Sequence, residues 1–372
     1  MITHQSGRVR SAPARGLRAC VAVMVVSVLA ACAARPTNEV LRPVAATVEG
    51  ARVTQVYVAT TRAPRAAGSA VFGAAPSLGT SHAAFRVSVP PGHRPGRIEW
   101  PDGPADPATS FATLEGRVLP EDAFRRAVSA DPRRPAGVVV FVHGFNHSFP
   151  EALYRLVQLS VDSRTEGVPV LFSWPSAGSP FAYLADKDAV AFSRDALART
   201  LQALVEDADG APVQVIAHSM GGLLTMETLR QLRLDGRDDV LDQLSVTMAA
   251  PDIDPDLFRA QIAVIGPMAR TMTLLVSRDD RALDLSSRLS SHRPRVGALD
   301  VADPRLERTA RAANIAIVDI SALPASNRAN HDRYVELSSI YGELHAETLP
   351  YGPRAARLGE AGVYVLDAIL GN

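Results

Sequence analysis

The stretch "VQVIAHSMGGLLTMETLRQL", residues 213–232, decides the fold class. It begins as an apolar, β-branched run typical of a buried strand, and from Ser219 onward its apolar residues recur at helical spacing. The serine therefore stands where a strand passes directly into a helix, and the small residues Ala217 and Gly221, two positions to either side, let the two elements approach closely. Such a turn lifts the serine hydroxyl off the sheet, which suits a nucleophile. The alternative is that Ser219 only caps the helix.

In the rest of the chain, the pattern of apolar and polar residues changes near residue 136. Over 136–372 short apolar runs alternate with amphipathic stretches, which predicts an α/β domain with a mostly parallel central sheet and helices on both faces. The stretch 354–370 predicts a closing helix. Over 51–135 short strand-like stretches are separated by Pro and Gly, which indicates a β-rich N-terminal extension packed on the sheet.

Composition narrows the classes of protein. The 372 residues are 47% hydrophobic, enough for a sizeable core, so the chain is expected to be globular. Lys+Arg and Asp+Glu both count 39, so nothing in the charge balance indicates a nucleic-acid partner.

The N-terminus indicates export. Residues 1–31 combine four arginines with an uncharged run of 13 residues, Ala19–Ala31, which is too short to span a bilayer but suits a signal peptide. The run closes on "LAAC", which resembles a bacterial lipobox and predicts a lipid on Cys32. The alternative is an apolar N-terminus without lipid.

Lipid on Cys32 would anchor the protein in the cell envelope, and Ala33 after the cysteine favours the outer membrane, on its periplasmic side. Residues 32–50 would form a flexible tether. The only other cysteine, Cys20, would leave with the signal peptide, so neither a disulfide nor a thiolate metal site is expected.

A second motif, "VVVFVHGFNHSF" at 138–149, precedes the serine. In hydrolases with a strand–serine–helix turn, a His-Gly pair at the end of an earlier strand leads into a loop whose N–H faces the developing oxyanion. This predicts the main-chain N–H groups of Phe145 and Met220 as donors, with His143 supporting the loop.

In hydrolases with a strand–serine–helix turn, the catalytic residues are expected in the chain order Ser, acid, His. His331 is preferred as the base because it follows the last predicted strand and a polar loop. His292 lies too near the acid candidates, and His345 comes one loop further on.

Four aspartates are candidates for the acid. Asp252 and Asp254 follow one predicted strand, and Asp279 and Asp280 follow the next. Asp280 is preferred and Asp279 comes second, although any of them could merely cap a helix.

Several of these stretches together resemble one family. From about residue 53 to the C-terminus the chain is similar to a bacterial α/β-hydrolase family long catalogued as of unknown function, whose characterised relatives are esterases. The matching stretches are "VYVATTRAP", "VFVHGFN", "FSWPSAGS", "IAHSMG", "AAPDID", "SRDDRAL" and the His331 region. The resemblance implies an α/β-hydrolase fold, and the family's acid corresponds to the aspartate directly before "RAL", which is Asp280.

The expected chemistry is two-step acyl transfer from a small-molecule or lipid ester by Ser219, Asp280 and His331, with no metal or organic cofactor required. The aromatic stretch 172–188 would line the substrate pocket with Trp174, Phe181 and Tyr183 and favour short to medium acyl chains, unless these side chains only pack the following helix. Alternatives on the same fold are an amidase, peptidase or thioesterase, or a non-catalytic envelope-binding scaffold.

Overall fold

The computed structural model of the protein describes residues 35–164, 166–301, 310–325, 327 and 329–337, together with the backbone of 364–366. The chain divides into two compact units, Met1–Thr37 and Asn38–Asn372. The predicted signal peptide 1–31 and the predicted lipid attachment at Cys32 lie outside the described residues.

Part of the predicted tether 32–50 packs on the domain. Asn38–Leu41 form a 3-10 helix whose Val40 and Leu41 are buried. The Tyr154 hydroxyl donates a hydrogen bond of 2.7 Å to the carbonyl of Val40. The prediction of a flexible segment is therefore wrong at Asn38–Leu41, because this apolar pair joins the hydrophobic core, which the Pro- and Ala-rich composition did not reveal.

The described residues form ten strands of one sheet. They are β1 (Arg52–Pro64), β2 (Phe72–Val89), β3 (Ala112–Leu119), β4 (Val138–Val142), β5 (Val168–Ser173), β6 (Val213–His218), β7 (Leu244–Ala249), β8 (Met272–Val276), β9 (Ile315–Asp319) and β10 (Tyr364–Leu366). Their order in the sheet is β10-β9-β8-β7-β6-β4-β5-β1-β2-β3. All neighbours from β9 across to β1 are parallel, while β10, β2 and β3 pair antiparallel at the two edges. The predicted α/β class with a mostly parallel sheet is confirmed.

The N-terminal β-rich segment extends this sheet sideways rather than forming a layer packed on it. Strand β1 runs parallel to β5, with Tyr57 opposite Val170, and β2 and β3 follow as antiparallel neighbours. Strand β1 is buried continuously from Val56 to Arg62, as expected of a strand covered on both faces. The predicted boundary between 51–135 and 136–372 does not separate two compact units, since Asn38–Asn372 form one.

The predicted closing helix over 354–370 is wrong at Tyr364–Leu366, which pair antiparallel with β9 as strand β10. The β-branched and aromatic residues of "VYV" favour a strand. The rest of that stretch lies outside the described residues.

Helices cover both faces of the sheet. Alternation along β4 sends Val140 and Val142 into the cluster beneath the helices Tyr183–Glu206 and Met220–Leu234, and Phe141 into the cluster beneath the helix Phe149–Asp162. Among the helices of the described residues, none combines the length and apolar character needed to cross a membrane. The helices are α1 (Glu121–Ser129), α2 (Phe149–Asp162), α3 (Tyr183–Glu206), α4 (Met220–Leu234), α5 (Asp238–Leu241), α6 (Pro255–Ile265) and α7 (Arg281–Leu289).

The strand order reverses at β4, which has β5 on one side and β6 on the other. In open α/β sheets, ligands bind outside the carboxyl ends of the strands at such a point. The two sequence motifs lie there, because the His-Gly pair follows β4 and Ser219 follows β6.

Candidate active site

Ser219 occupies a strained backbone conformation between β6 and α4, with φ 54° and ψ −120°. A positive φ is uncommon for a residue other than glycine. Hydrogen bonds hold it in place, because its N–H donates to the carbonyl of Ala249 at 2.9 Å and its carbonyl accepts from the N–H of Asp252 at 3.2 Å. Ser219 occupies the N-cap position of α4, but its side chain makes no capping hydrogen bond, so its hydroxyl does not serve to cap the helix.

Two glycines explain why the elbow at Ser219 and the loop after β4 can touch. A Cβ at Gly221 would lie 2.5 Å from the carbonyl oxygens of Val142 and His143. A Cβ at Gly144 would lie 3.0 Å from Cβ of Ser219. Backbone therefore packs on backbone at this point, and side chains at these glycines would force the two segments apart.

His331 is held by Asp280. Its Nδ1 lies 2.7 Å from Oδ2 of Asp280, a carboxylate that is only 2% exposed. The other oxygen, Oδ1, accepts the N–H groups of Ala282 and Leu283 at 3.0 Å each. Asp280 therefore caps α7 and binds His331 at the same time. Its role as a helix cap does not exclude its contact with the histidine.

The electrostatics of His331 follow from that contact. Burial lowers the pKa of His331, but the hydrogen bond and the charge of Asp280 outweigh it, and the pKa is raised above its ordinary value. Because a carboxylate only accepts, Nδ1 carries the proton and Nε2 of the neutral ring is left as an acceptor.

His218, directly before Ser219, connects the elbow to the histidine loop. Its Nε2 donates to the main-chain carbonyl of His331 at 3.0 Å, and the two rings lie 4.6 Å apart between centroids. Burial and the nearby His331 and His147 hold the pKa of His218 well below its usual value, so the ring is neutral. The residue beside Ser219 thus helps to place the backbone of His331.

Asp279 contacts other partners. Its Oδ2 accepts from Nη2 of Arg333 at 2.8 Å and from Nδ2 of Asn330 at 3.0 Å. The hydrogen bond from Arg333 lowers the pKa of Asp279 to about 2. Asp279 therefore binds the residues on either side of His331 rather than the imidazole itself.

The two earlier aspartates lie in other ion pairs. Asp252 is buried with Arg295, whose Nε lies 3.0 Å from its Oδ1. Asp254 caps α6 and pairs with Arg293. Asp252 and Asp254, the other candidates for the acid, thus form ion pairs with arginines instead of a hydrogen bond to His331.

Of the other histidine candidates, His292 is exposed in the loop after α7, and His345 lies outside the described residues. The buried His143 stacks on Trp174 with ring centroids 4.9 Å apart, as suits a side chain that supports the loop.

The main-chain N–H groups of Phe145 and Met220 follow Gly144 and Ser219. Among the hydrogen bonds of the described residues, none uses either of these two donors. The N–H of Met220 also lies in the first turn of α4, where the helix dipole favours negative charge. Both groups have the character expected of donors to an oxyanion.

The expectation that three aromatic side chains line the substrate pocket is wrong for two of them. Trp174 is fully buried and its Nε1 donates to the carbonyl of His143 at 2.8 Å. Tyr183 is buried with its hydroxyl 3.0 Å from Asp252, and burial raises the pKa of Tyr183 to about 12. Phe181 is 96% exposed, and its place beside the substrate stays a prediction. Aromatic content predicted contact with the cleft, but the direction of each side chain depends on the packing around it.

A cleft of about 330 Å³ lies beside the loop after β4 and the loop that carries His331. It is lined by residues of 96–100, 146–155 and 327–332. Its apolar lining is limited to Ile98 and Trp100, and its charges are two arginines and two carboxylates. In the described parts of the chain, no group of three or more His, Cys, Asp or Glu side chains is arranged to hold a metal ion.

Sequence reasoning missed the network under the loop after β4, which contains Arg62, Ser173, Ser176 and Asp186. The sequence contained a signal for it, because an arginine that continues the uncharged, strand-like stretch "VTQVYVATT" is unusual for a buried strand.

The sequence profile of the family described as "Alpha/beta hydrolase of unknown function (DUF900)" matches residues 120–348, more than half of the chain. The chain belongs to this family. The α/β-hydrolase fold and a hydrolase activity follow from that membership, and the elbow at Ser219 lies inside the matched range.

Two solved structures are similar to this α/β-hydrolase at low identity. One is a proposed cell surface hydrolase from Lactobacillus plantarum WCFS1, with TM-score 0.36, 12% identity, and coverage of 62% of this chain and 98% of that one. The other comes from a study of two fungal esterases from Rhizomucor miehei, with TM-score 0.34, 11% identity, and coverage of 80% and 85%. No curated protein sequence matches the chain.

Proposed function

We propose that this α/β-hydrolase is a serine hydrolase that cleaves carboxylic esters, with Ser219 as nucleophile, His331 as general base and Asp280 as the acid that orients it. One observation carries the proposal. A strained serine whose hydroxyl makes no capping hydrogen bond directly follows His218, whose ring lies 4.6 Å from that of His331, and Nδ1 of His331 is bound by a buried carboxylate 2.7 Å away.

The reaction proceeds in two steps. Nε2 of His331 accepts the Ser219 proton as Oγ attacks the ester carbonyl, and the N–H groups of Phe145 and Met220 hold the oxyanion. Asp280 stabilises the imidazolium, which then gives its proton to the leaving alcohol. Water attacks the acyl-enzyme with His331 again as base, the acid is released, and Ser219 regains its proton.

We propose short to medium acyl chains for the substrate, because a long acyl chain needs a predominantly apolar channel. The cleft that borders the loops of Phe145 and His331 has only Ile98 and Trp100 as apolar lining, and neither Ser219 nor His331 lines it. It can therefore contact only parts of the substrate that lie away from the ester carbonyl.

The nucleophile is tested with Ser219→Ala. We expect kcat for p-nitrophenyl acetate to fall by about 10⁴ to 10⁶ and labelling by a serine-reactive phosphonate to disappear. Ser291→Ala is the matched control, because Ser291 is exposed and also has a positive φ, 56°. Labelling of Ser219→Ala at the wild-type level would refute the assignment.

The bond cleaved is tested with a panel of p-nitrophenyl esters of increasing chain length, an anilide and a thioester of the same acyl group. We expect the highest kcat/KM with short to medium esters. Faster cleavage of the anilide or the thioester would favour an amidase, peptidase or thioesterase. A wild-type protein that neither turns over nor reacts with the phosphonate would favour a non-catalytic scaffold.

A further inference from the structure

Arg62 is a fully buried arginine in β1, 1% exposed. Its guanidinium donates four hydrogen bonds, all to uncharged oxygen atoms. Their acceptors are the carbonyls of His147 (2.8 Å), Ser176 (3.0 Å) and Gly73 (3.1 Å) and the hydroxyl of Ser173 (2.8 Å).

This arrangement is costly for packing alone. Burial lowers the pKa of Arg62 to about 9, and the charges of Asp186 and Glu151 offset this only in part. Replacing a buried charge by apolar side chains of similar volume is often neutral or stabilising. An arginine in this strand therefore points to a task other than filling the core.

Besides the bond to Gly73 in β2, the hydrogen bonds of Arg62 join two segments near the site. One is the loop after β4, through His147, and the other is the end of β5 with the residues that follow it, through Ser173 and Ser176. The same segments are also tied to each other, because the N–H of His147 donates to Oγ of Ser176 at 3.2 Å and Nε2 of His143 lies 3.2 Å from Oγ of Ser173.

Asp186 in α3 anchors the segment after β5 in turn. One carboxylate oxygen accepts from Oγ of Ser176 at 2.5 Å, and the other accepts from the N–H of Ala177 at 2.8 Å. The loop from His143 to His147 is therefore held at both ends by residues of the neighbouring strands and helix.

This loop carries the N–H of Phe145 and abuts the nucleophile. Its Gly144 lies so close to Ser219 that a Cβ on that glycine would be 3.0 Å from Cβ of the serine. An oxyanion donor works only at hydrogen-bond distance from the developing charge, and losing one costs about 10²- to 10³-fold in kcat. A small shift of the loop would therefore reduce the rate without abolishing it.

We propose that Arg62 is a positioning residue for the oxyanion-binding N–H of Phe145, acting through the loop from His143 to His147. The inference rests on the proposed function, because it presupposes acyl transfer by Ser219. It also gives a task to "VYVATTRAP" and "FSWPSAGS", two stretches that contain no member of the proposed triad.

The experiment compares Arg62→Met with Arg134→Met. Arg134 is also buried, 8% exposed, and donates to the carbonyl of Asp207, but it precedes β4 and so lies at the opposite end of that strand from the loop. We expect Arg62→Met to lower kcat by about 10- to 10²-fold with KM nearly unchanged, and to slow phosphonate labelling in parallel. Arg134→Met is expected to lower the melting temperature without lowering kcat selectively.

Two milder variants decide the question if Arg62→Met does not fold. Ser176→Ala removes the acceptor for the N–H of His147 and keeps the arginine, and we expect a smaller loss in kcat with KM unchanged. Arg62→Lys keeps the charge but cannot reach all four acceptors, so it is expected to recover only part of the activity.

Wild-type kcat in Arg62→Met, or in Ser176→Ala and Arg62→Lys together, would overturn the proposal, as would an equal kcat loss in Arg134→Met. Failure of the proposed function is a different outcome, because the wild-type protein itself would then not react with the phosphonate.

Discussion

The carboxylate of Asp280 begins helix α7 and holds His331 at the same time. Oδ1 accepts two main-chain N–H groups of the first turn, and Oδ2 lies 2.7 Å from Nδ1 of His331. The N–H of Arg281 also donates to the carbonyl of Ala329, two residues before the histidine, at 2.9 Å. The position of the imidazole is thus set by the start of a helix, a rigid support for a proton-transfer group.

Asp280→Asn should separate catalysis from folding. Asparagine is as good an N-cap as aspartate, so the stability of α7 should change little. The imidazole loses its charged partner and its tautomer is no longer fixed, and we expect kcat for p-nitrophenyl acetate to fall by about 10⁴. Asp279→Asn is the matched control, and a larger loss in that variant would reverse the assignment.

The pH dependence of kcat/KM should report His331. The base must be neutral, and its pKa is raised above the ordinary value of 6.5 because Asp280 outweighs burial. Activity should therefore decline as pH falls, with a midpoint above 6.5, and the midpoint should move down in the residual activity of Asp280→Asn. A wild-type midpoint below 6.5 would contradict the geometry.

Gly144→Ala should impair the site through contact alone, because the backbone at Gly144 is not in the left-handed region and a Cβ would lie 2.9 Å from Nδ1 of His218. We expect the loop to move, with kcat reduced by about 10-fold or more and stability reduced by about 1–3 kcal/mol. Gly92→Ala, where a Cβ would meet nothing within 4 Å, should match wild type in both assays.

His93 should make stability depend on pH. Burial lowers its pKa, but its contacts with Asp162 at 2.8 Å and Glu99 at 2.7 Å raise it above the ordinary value. The contribution of protonated His93 to the free energy of unfolding is thus fully present below the pKa of the unfolded state. It is lost as pH rises through the pKa of the folded state. In urea unfolding, the difference between wild type and His93→Gln should shrink from pH 6 to pH 9. A difference that grows with pH would show that the histidine is not stabilised as a cation.

The proposed lipid on Cys32 is tested in cells. Cys32→Ala should release the protein into the soluble fraction or block its processing, because a single cysteine carries the predicted anchor. Incorporation of labelled fatty acid and fractionation of the envelope measure this directly. A lipid anchor on Cys32 is excluded if Cys32→Ala fractionates like the wild-type protein and the wild-type protein incorporates no labelled fatty acid.

Local patterns were enough for much of the fold and for part of the site. The alternation of apolar runs and amphipathic stretches predicts a parallel sheet with helices on both faces, because periods of 2.0 and 3.6 residues are set by strand and helix geometry. The turn at Ser219 was also predictable, since small residues two positions before and after the serine allow a strand and a helix to meet closely there. Chain order then left His331 as the preferred base.

Other features depend on contacts between residues distant in sequence. Asp279 and Asp280 are neighbours, yet only the second faces His331, 51 residues later. Trp174 is buried against His143, although the aromatic residues around it predicted that it lines a substrate pocket. Arg62 binds the carbonyl of His147, in the loop after β4, 85 residues later in the chain.

The physical reason is that local periodicity determines which face of an element is apolar, whereas the partner of a polar side chain depends on how strands order in the sheet and where their loops meet. The sequence by itself therefore determined the α/β class and the elbow at Ser219. The tertiary structure decided which carboxylate binds the histidine and which buried cation supports the loop of Phe145.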